Sequence, residues 1–387
     1  MSSNWRRFEV LLPLSIHTAE FAEICGDHKH LESNLMRIYW MLVMIPVALG
    51  LDWFEAPPWL VFLSSALSIV PLAGLMERAT ESVAHVLGPN LGGLLSASLG
   101  NAPEMIISIS ALLKGLDEIV KASIAGSILG NLLFVLGAAM IAGGSGRQVQ
   151  FFNRESASLG SGLLFLAVAA LIIPALFFHS ATDPTREISI EIAVILFLVY
   201  GLSLVFSLKT HKHLLGERSP DETGHTNQLW SVRVAVAVLV GVTVVIALMS
   251  EVLTGSVEAT AKLLGLSDVF AGVILLATVG NLAQLINSVR FARKDKMDLA
   301  LSITVGSSTQ IALFVAPLLV FVGFATGHRM DLVFTEFEVI GLAIAILVVR
   351  NLTHDGESHW MEGVMLVALY LILAIGLYFL PVPVVAT

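Results

Sequence analysis

Apolar runs of about 20 residues, the length a helix needs to cross the hydrocarbon core of a bilayer, recur from one end of this sequence to the other. They fall near 35–53, 58–87, 90–113, 117–144, 157–179, 188–208, 231–262, 268–292, 296–325, 333–351 and 360–380. In lipid every backbone N–H and C=O must find a partner inside the protein, so runs of this kind fold as helices. The expectation is an all-α polytopic membrane protein with about eleven transmembrane helices. Only 13% of the 387 residues are charged, about half of what a soluble chain carries. The net charge of -9 comes without any basic stretch, so no nucleic-acid partner is expected; the lipid bilayer and inorganic cations are. The single cysteine, Cys25, excludes a disulfide framework and a multi-cysteine metal site.

An internal repeat sets the architecture. Shifted by 180 positions, the first half falls on the second without a gap: Gly92 on Gly272, Gly100 on Gly280, Asn101 on Asn281, Ser108 on Ser288, Gly126 on Gly306, Ser127 on Ser307 and Phe134 on Phe314. A five-helix unit repeated once must point in opposite directions in its two copies, because five is odd. Inverted repeats of this kind hold their substrate near the bilayer midplane, where the copies meet. The division is then a mixed N-terminal segment, 1–34, a leading helix, 35–53, a first repeat, 58–208, a polar connector, 209–230, and a second repeat, 231–380. Within 1–34 the stretch Phe8–Ile24 has some amphipathic character, interrupted by Pro13, and no cleavable signal is expected.

Orientation follows the lysines and arginines. With a cytoplasmic N-terminus, sixteen of the twenty-one face inside, and only Lys114, Lys121, Arg186, Lys262 and Arg329 lie outside.

Glu104, in Gly100-Asn-Ala-Pro-Glu104, is a carboxylate inside an apolar run. A charge at the bilayer centre costs about 2.5–3.5 kcal/mol on the translocon scale, so such a group is expected to serve a function. Gly100 and Pro103 are expected to break the helix, with Gly280 doing the same in the second copy, leaving carbonyls free beside the acid. Asn101, Glu104 and Ser108 share one helical face by their spacing, as do Asn281, Gln284 and Ser288. Ser127 with Asn131, and Ser307 with Gln310, form a second polar stripe in each copy. All are oxygen donors, which favours Ca²⁺, Mg²⁺, Na⁺ or H⁺ over zinc or copper. Taken singly, the same serines, asparagines and glycines also serve as packing glue between membrane helices. Glu81 and Glu251 sit near helix ends as candidate accessory acids. The histidines His211, His213 and His225 lie among mixed charges in the connector and read as solvated.

Gly100-Asn-Ala-Pro-Glu104, Lys121-Ala-Ser-Ile-Ala-Gly-Ser-Ile-Leu-Gly-Asn-Leu-Leu133, Lys296-Met-Asp-Leu-Ala-Leu301 and Gly306-Ser-Ser-Thr-Gln-Ile-Ala-Leu-Phe-Val315 resemble the signature helices of the Ca²⁺/H⁺ antiporter branch of the cation/Ca²⁺ exchanger superfamily. The resemblance runs from about Pro71 to the C-terminus. It implies eleven helices, the first outside the repeat, and alternating access at a central site where one glutamate from each repeat holds Ca²⁺ or protons. Carried over, it makes Glu104 the first carboxylate and metal ligand, Ser127, Asn131, Ser307 and Gln310 wall residues, and Glu81 an acid on the cavity side. No cofactor is implied beyond the transported cation, expected to be Ca²⁺, and H⁺. The second signature departs from the family: Gly280-Asn-Leu-Ala-Gln-Leu285 carries Gln284 where the family has glutamate. An amide oxygen coordinates a cation but carries no charge and no exchangeable proton. Three consequences stay open: another acid such as Glu251 substitutes, the preferred ion is monovalent, or transport is lost and the fold persists as a scaffold or cation sensor. No zinc-protease pair, nucleophile motif or pair of intramembrane aspartates points to an enzyme. The short tails point to a bacterial cytoplasmic membrane.

Overall fold

The computed structural model describes residues 40–178, 185–211, 230–328 and 330–380. The segment 1–34 with Cys25, and most of the connector 209–230 with His213 and His225, lie outside the described residues.

A 3₁₀ turn, Trp40–Val43, leads into α1 (Met44–Trp53). Next, α2 (Pro58–Leu99) is two helices joined at Gly88, whose φ of 77° and ψ of 177° suit glycine alone. The first of the two crosses the membrane. The second runs on, across a break at Gly100 and Asn101, into α3 (Ala102–Leu113). A single rod follows, made of α4 (Asp117–Leu129), a π-helical segment Gly130–Val135 and α5 (Leu136–Gly144). The first half closes with α6 (Arg154–Phe178) and α7 (Thr185–Val205).

The second half begins with α8 (Val232–Leu264). A rod of α9 (Asp268–Phe270), the π-helical segment Ala271–Leu276 and α10 (Ala277–Arg293) comes next. It is followed by α11 (Met297–Gln310), the π-helical segment Ile311–Val315 and α12 (Ala316–Thr326), and then by α13 (Glu336–Leu352) and α14 (Trp360–Tyr378). Among the described residues, eight helices are long and apolar enough to cross a membrane. The other three expected spans are helical but shorter: Trp40–Trp53 starts at the edge of the described chain, 90–113 is broken, and α13 has 17 residues.

The side facing lipid is apolar and the side facing protein is small or polar. Along α8, Val232, Val234, Val236, Val240, Val244 and Leu248 are exposed, whereas Ala235, Val242, Ile246, Met249 and Leu253 are buried. That helix packs along the first part of α2, so the opening helices of the two halves lie against each other. Lipid tails are as apolar as leucine, and association in a membrane therefore depends on close approach of small residues. The α4 rod meets the Ala271–Leu276 segment in this way. A Cβ on Gly126 would lie 2.4 Å from the Val273 carbonyl oxygen, and one on Gly272 would lie 2.4 Å from the Ala122 Cβ. Lys121 adds a polar tie between the halves: its ammonium, buried at 6% exposure, pairs with Glu118 at 2.9 Å and with Asp331 at 3.2 Å. At one end of the bundle a short antiparallel ribbon joins Gln150–Phe151 to Glu357–Ser358.

Candidate functional site

The break before α3 puts Glu104 where a carboxylate is least costly. Asn101, at φ −113° and ψ 26°, leaves helical geometry, and α3 restarts at Ala102 with Pro103 in its first turn. Proline fits there because the first-turn amides have no intrahelical acceptor. It also supplies no N–H to the Leu99 carbonyl four residues back. Glu104 becomes a first-turn residue, where the positive end of the helix dipole favours an anion.

The second copy does not do the same. Here α10 runs unbroken through Gly280 and Asn281, so the expectation that Gly280 breaks its helix is corrected. Ala283 stands where the first copy has Pro103 and keeps its N–H, so the ladder continues; the irregularity lies upstream in the π-helical Ala271–Leu276. Gly280 has a different reason to be glycine. A Cβ there would sit 2.7 Å from Glu104 Cγ and 3.4 Å from its Oε1.

The two copies meet through side chains. Gln284 Nε2 donates to Glu104 Oε1 at 2.6 Å, across a sequence separation of 180, so the pair joins equivalent positions of the two repeats. Asn101 Nδ2 donates to the Ser307 carbonyl at 3.4 Å, and Asn281 Nδ2 donates to the Ser127 carbonyl at 3.1 Å. These bonds span 206 and 154 positions, equally far either side of 180, as a pseudo-two-fold axis through the Glu104–Gln284 pair requires. Around this frame the copies differ. Ser307 Oγ donates to Asn101 Oδ1 at 2.6 Å and accepts from Asn131 Nδ2 at 3.1 Å, while Gln310 Oε1 accepts from Asn101 Nδ2 at 2.9 Å. Glu104, Gln284, Asn101, Asn281, Ser127, Asn131, Ser307 and Gln310 are thus brought into one region.

Four acceptors at this centre have no donor: Glu104 Oε2, Gln284 Oε1, Asn131 Oδ1 and Asn281 Oδ1. All four side chains are buried, Glu104 at 7% and Gln284 at 8% exposure. Buried acceptors are normally satisfied, and a surplus of oxygen lone pairs beside one carboxylate suits a hard cation or a proton. Among the described residues no group of three or more His, Cys, Asp or Glu side chains is placed to hold a metal ion. The unpartnered oxygens at this centre belong to one carboxylate, Glu104, and three amides, Gln284, Asn131 and Asn281.

Of the two accessory acids, Glu251 is not part of this centre. The Glu251 carbonyl accepts from Lys114 Nζ at 2.5 Å, and Thr254, one turn on, meets Ser110 at 3.1 Å. Lys114 lies ten residues beyond Glu104, about 15 Å along a helix, so Glu251 as a substitute for the second carboxylate is corrected. It lines a cleft with Asp52, Glu55 and Lys114. Burial lowers the Lys114 ammonium from its ordinary value, and the Glu251 and Asp52 carboxylates oppose that shift.

Glu81 lies with charges that sequence reasoning did not assemble. Arg78 and Arg290 both act on it, and Arg290 also acts on Glu77. Glu77 is fixed by Asn287, whose Nδ2 donates to Glu77 Oε2 at 2.6 Å. The available signal was the i, i+4 spacing of Glu77 and Glu81 together with Gln284, Asn287 and Arg290 at three-residue intervals on one face of the facing helix.

A family model described as sodium/calcium exchanger protein matches residues 57–209 and 234–379. A Ca(2+)/H(+) antiporter of Aphanothece halophytica is 40% identical over 361 residues, 88% of this chain and 96% of that one. The Ca(2+)/H(+) antiporter ChaA of Bacillus subtilis is 40% identical over 352 residues, 89% of this chain and 99% of that one. Among solved structures, that of native YfkE superposes with a TM-score of 0.77 at 37% identity, covering 89% of this chain and 100% of that chain.

Proposed function

The chain belongs to the sodium/calcium exchanger family, and from that premise we propose that it is a secondary antiporter exchanging Ca²⁺ for H⁺ by alternating access at the Glu104–Gln284 pair. The observation that carries this reading is the contact itself: one carboxylate held at 2.6 Å by its repeat-related amide, among acceptor oxygens that lack donors. Glu104 is the group that exchanges a proton for a cation. When protonated it is neutral; when it loses the proton it offers a charge, and the amide and hydroxyl oxygens of both halves complete the coordination. Access passes from one side of the membrane to the other as the two halves move about their shared axis. The lysine and arginine bias supports a cytoplasmic N-terminus, and the bacterial relatives support a bacterial cytoplasmic membrane.

In purified form in proteoliposomes, an imposed pH gradient is expected to drive Ca²⁺ uptake against its concentration, and Ca²⁺ addition is expected to move protons the other way. A pH gradient that moves no Ca²⁺ overturns the reading.

Gln284 favours a second reading within the same mechanism, in which a monovalent cation replaces Ca²⁺. One carboxylate leaves a divalent ion with about one uncompensated charge, and at about 4 Å a missing unit charge is worth roughly 4 kcal/mol at an effective dielectric near 20. Gln284→Glu is therefore expected to tighten apparent Ca²⁺ affinity by at least about tenfold, the Coulomb gain being partly offset by repulsion from Glu104. Competition of Na⁺, K⁺, Mg²⁺ and Ca²⁺ for flux, in wild type and variant, measures it. Preferential Na⁺ or K⁺ exchange by the wild type, converted to Ca²⁺ exchange by the variant, supports the monovalent reading.

A further inference from the structure

We propose that Glu77 is the second titratable carboxylate of the exchange cycle, a role that rests on the Ca²⁺/H⁺ reading above. The geometry of α10 points to it. Gln284 and Asn287 are three residues apart, so they sit about 5–6 Å from each other on one helical face. Each donates one amide N–H to a carboxylate of the opposite half: Gln284 to Glu104 of α3 at 2.6 Å, and Asn287 to Glu77 of α2 at 2.6 Å. One face of α10 thus presents two carboxylates side by side, both supplied by the first repeat.

The charged groups acting on Glu77 are Glu81 on its own helix, Arg290 from α10 and Glu104 from α3. Arg78 and Arg290 act electrostatically on Glu81, and the hydrogen-bond partner of Glu77 is a neutral amide. The Glu77 side chain is exposed, and Asn287 of the opposite half fixes one of its carboxylate oxygens. On the same helix as Asn287, Gln284 Oε1 and Ser288 Oγ are buried without a hydrogen-bond partner.

With Glu104 alone, each Ca²⁺ would exchange for one proton and move a net positive charge. With Glu77 the charges balance. One Ca²⁺ arrives, the O–H bonds of Glu104 and Glu77 both break, and two protons leave toward the side that supplied the ion. Once the site opens to the opposite side, Ca²⁺ is released there as each carboxylate takes up one proton, and the protonated carrier then returns.

The test is the proton count per Ca²⁺, from the Ca²⁺ gradient that nulls flux at a set pH gradient and clamped voltage in proteoliposomes. The wild type is expected to exchange two protons per Ca²⁺, and Glu77→Gln one, with apparent Ca²⁺ affinity lower by on the order of tenfold. Glu77→Asp, which keeps the acid, is expected to restore a count of two. Monodisperse elution and thermal unfolding of the purified variants separate misfolding from lost titration. Wild-type exchange with an unchanged count in Glu77→Gln overturns this role and leaves the antiporter reading standing. Wild-type protein that exchanges no Ca²⁺ overturns both.

Discussion

Replacing Glu104 with glutamine is expected to reduce cation-driven proton movement to the level of protein-free vesicles while the protein still folds. Glu104 is the ionisable member of the repeat-related Glu104–Gln284 pair, and the side chains described around that pair are amides and hydroxyls that do not titrate. Glutamine keeps the shape and an acceptor oxygen but loses the exchangeable proton. The variant replaces a carboxyl group buried between the two halves with a neutral amide, so its thermal stability in detergent is expected to equal or exceed that of wild type. Residual exchange above background, with wild-type dependence on the pH gradient, would place the proton elsewhere. Glu104→Asp, which keeps the acid but withdraws it by one methylene from Gln284, is expected to retain a reduced flux.

The second large effect is mechanical. Gly126→Ala puts a methyl group 2.4 Å from the Val273 carbonyl oxygen and 2.5 Å from its Cα. Those are backbone atoms and have no side-chain rotation by which to withdraw, so the two rods must part. Overpacking of this kind costs about 1–3 kcal/mol. The neighbouring Ser127 carbonyl is the acceptor for Asn281, and displacement by about 1 Å at a site of this type reduces turnover by on the order of 100-fold. Flux in proteoliposomes and unfolding temperature in detergent measure the two losses separately. Unchanged flux in Gly126→Ala would show that the contact is not rigid.

The membrane class, the span positions and the repeat were legible because they rest on periodic, local signals. Length of apolar runs gave the helices, and the ungapped coincidence of Asn101 with Asn281 and of Ser127 with Ser307 gave the two related halves. Those same four residues make the two reciprocal hydrogen bonds across the axis. The behaviour of Gly280 was not legible from glycine alone. In the first copy the break depends on Pro103, and at the second position an N–H is present, so residue identity three places away decides the backbone. Glu251 was placed by type, an acid near a helix end, but which end of α3 it meets is a tertiary fact fixed by Ser110 and Thr254. Glu77 and Asn287 were hidden for the same reason: each is an ordinary polar residue near a helix terminus until α2 and α10 are laid side by side.

The interrupted first-half helix opposite an intact second-half helix has one more consequence. A carrier with two interchangeable halves would have inward-open and outward-open forms of equal free energy, because exchanging the roles of the halves turns one form into the other. Pro103 against Ala283, and Glu104 against Gln284, remove that equivalence. The empty protein therefore has a resting side, and its flux is expected to rectify, running faster in one direction than in the other under mirror-image gradients.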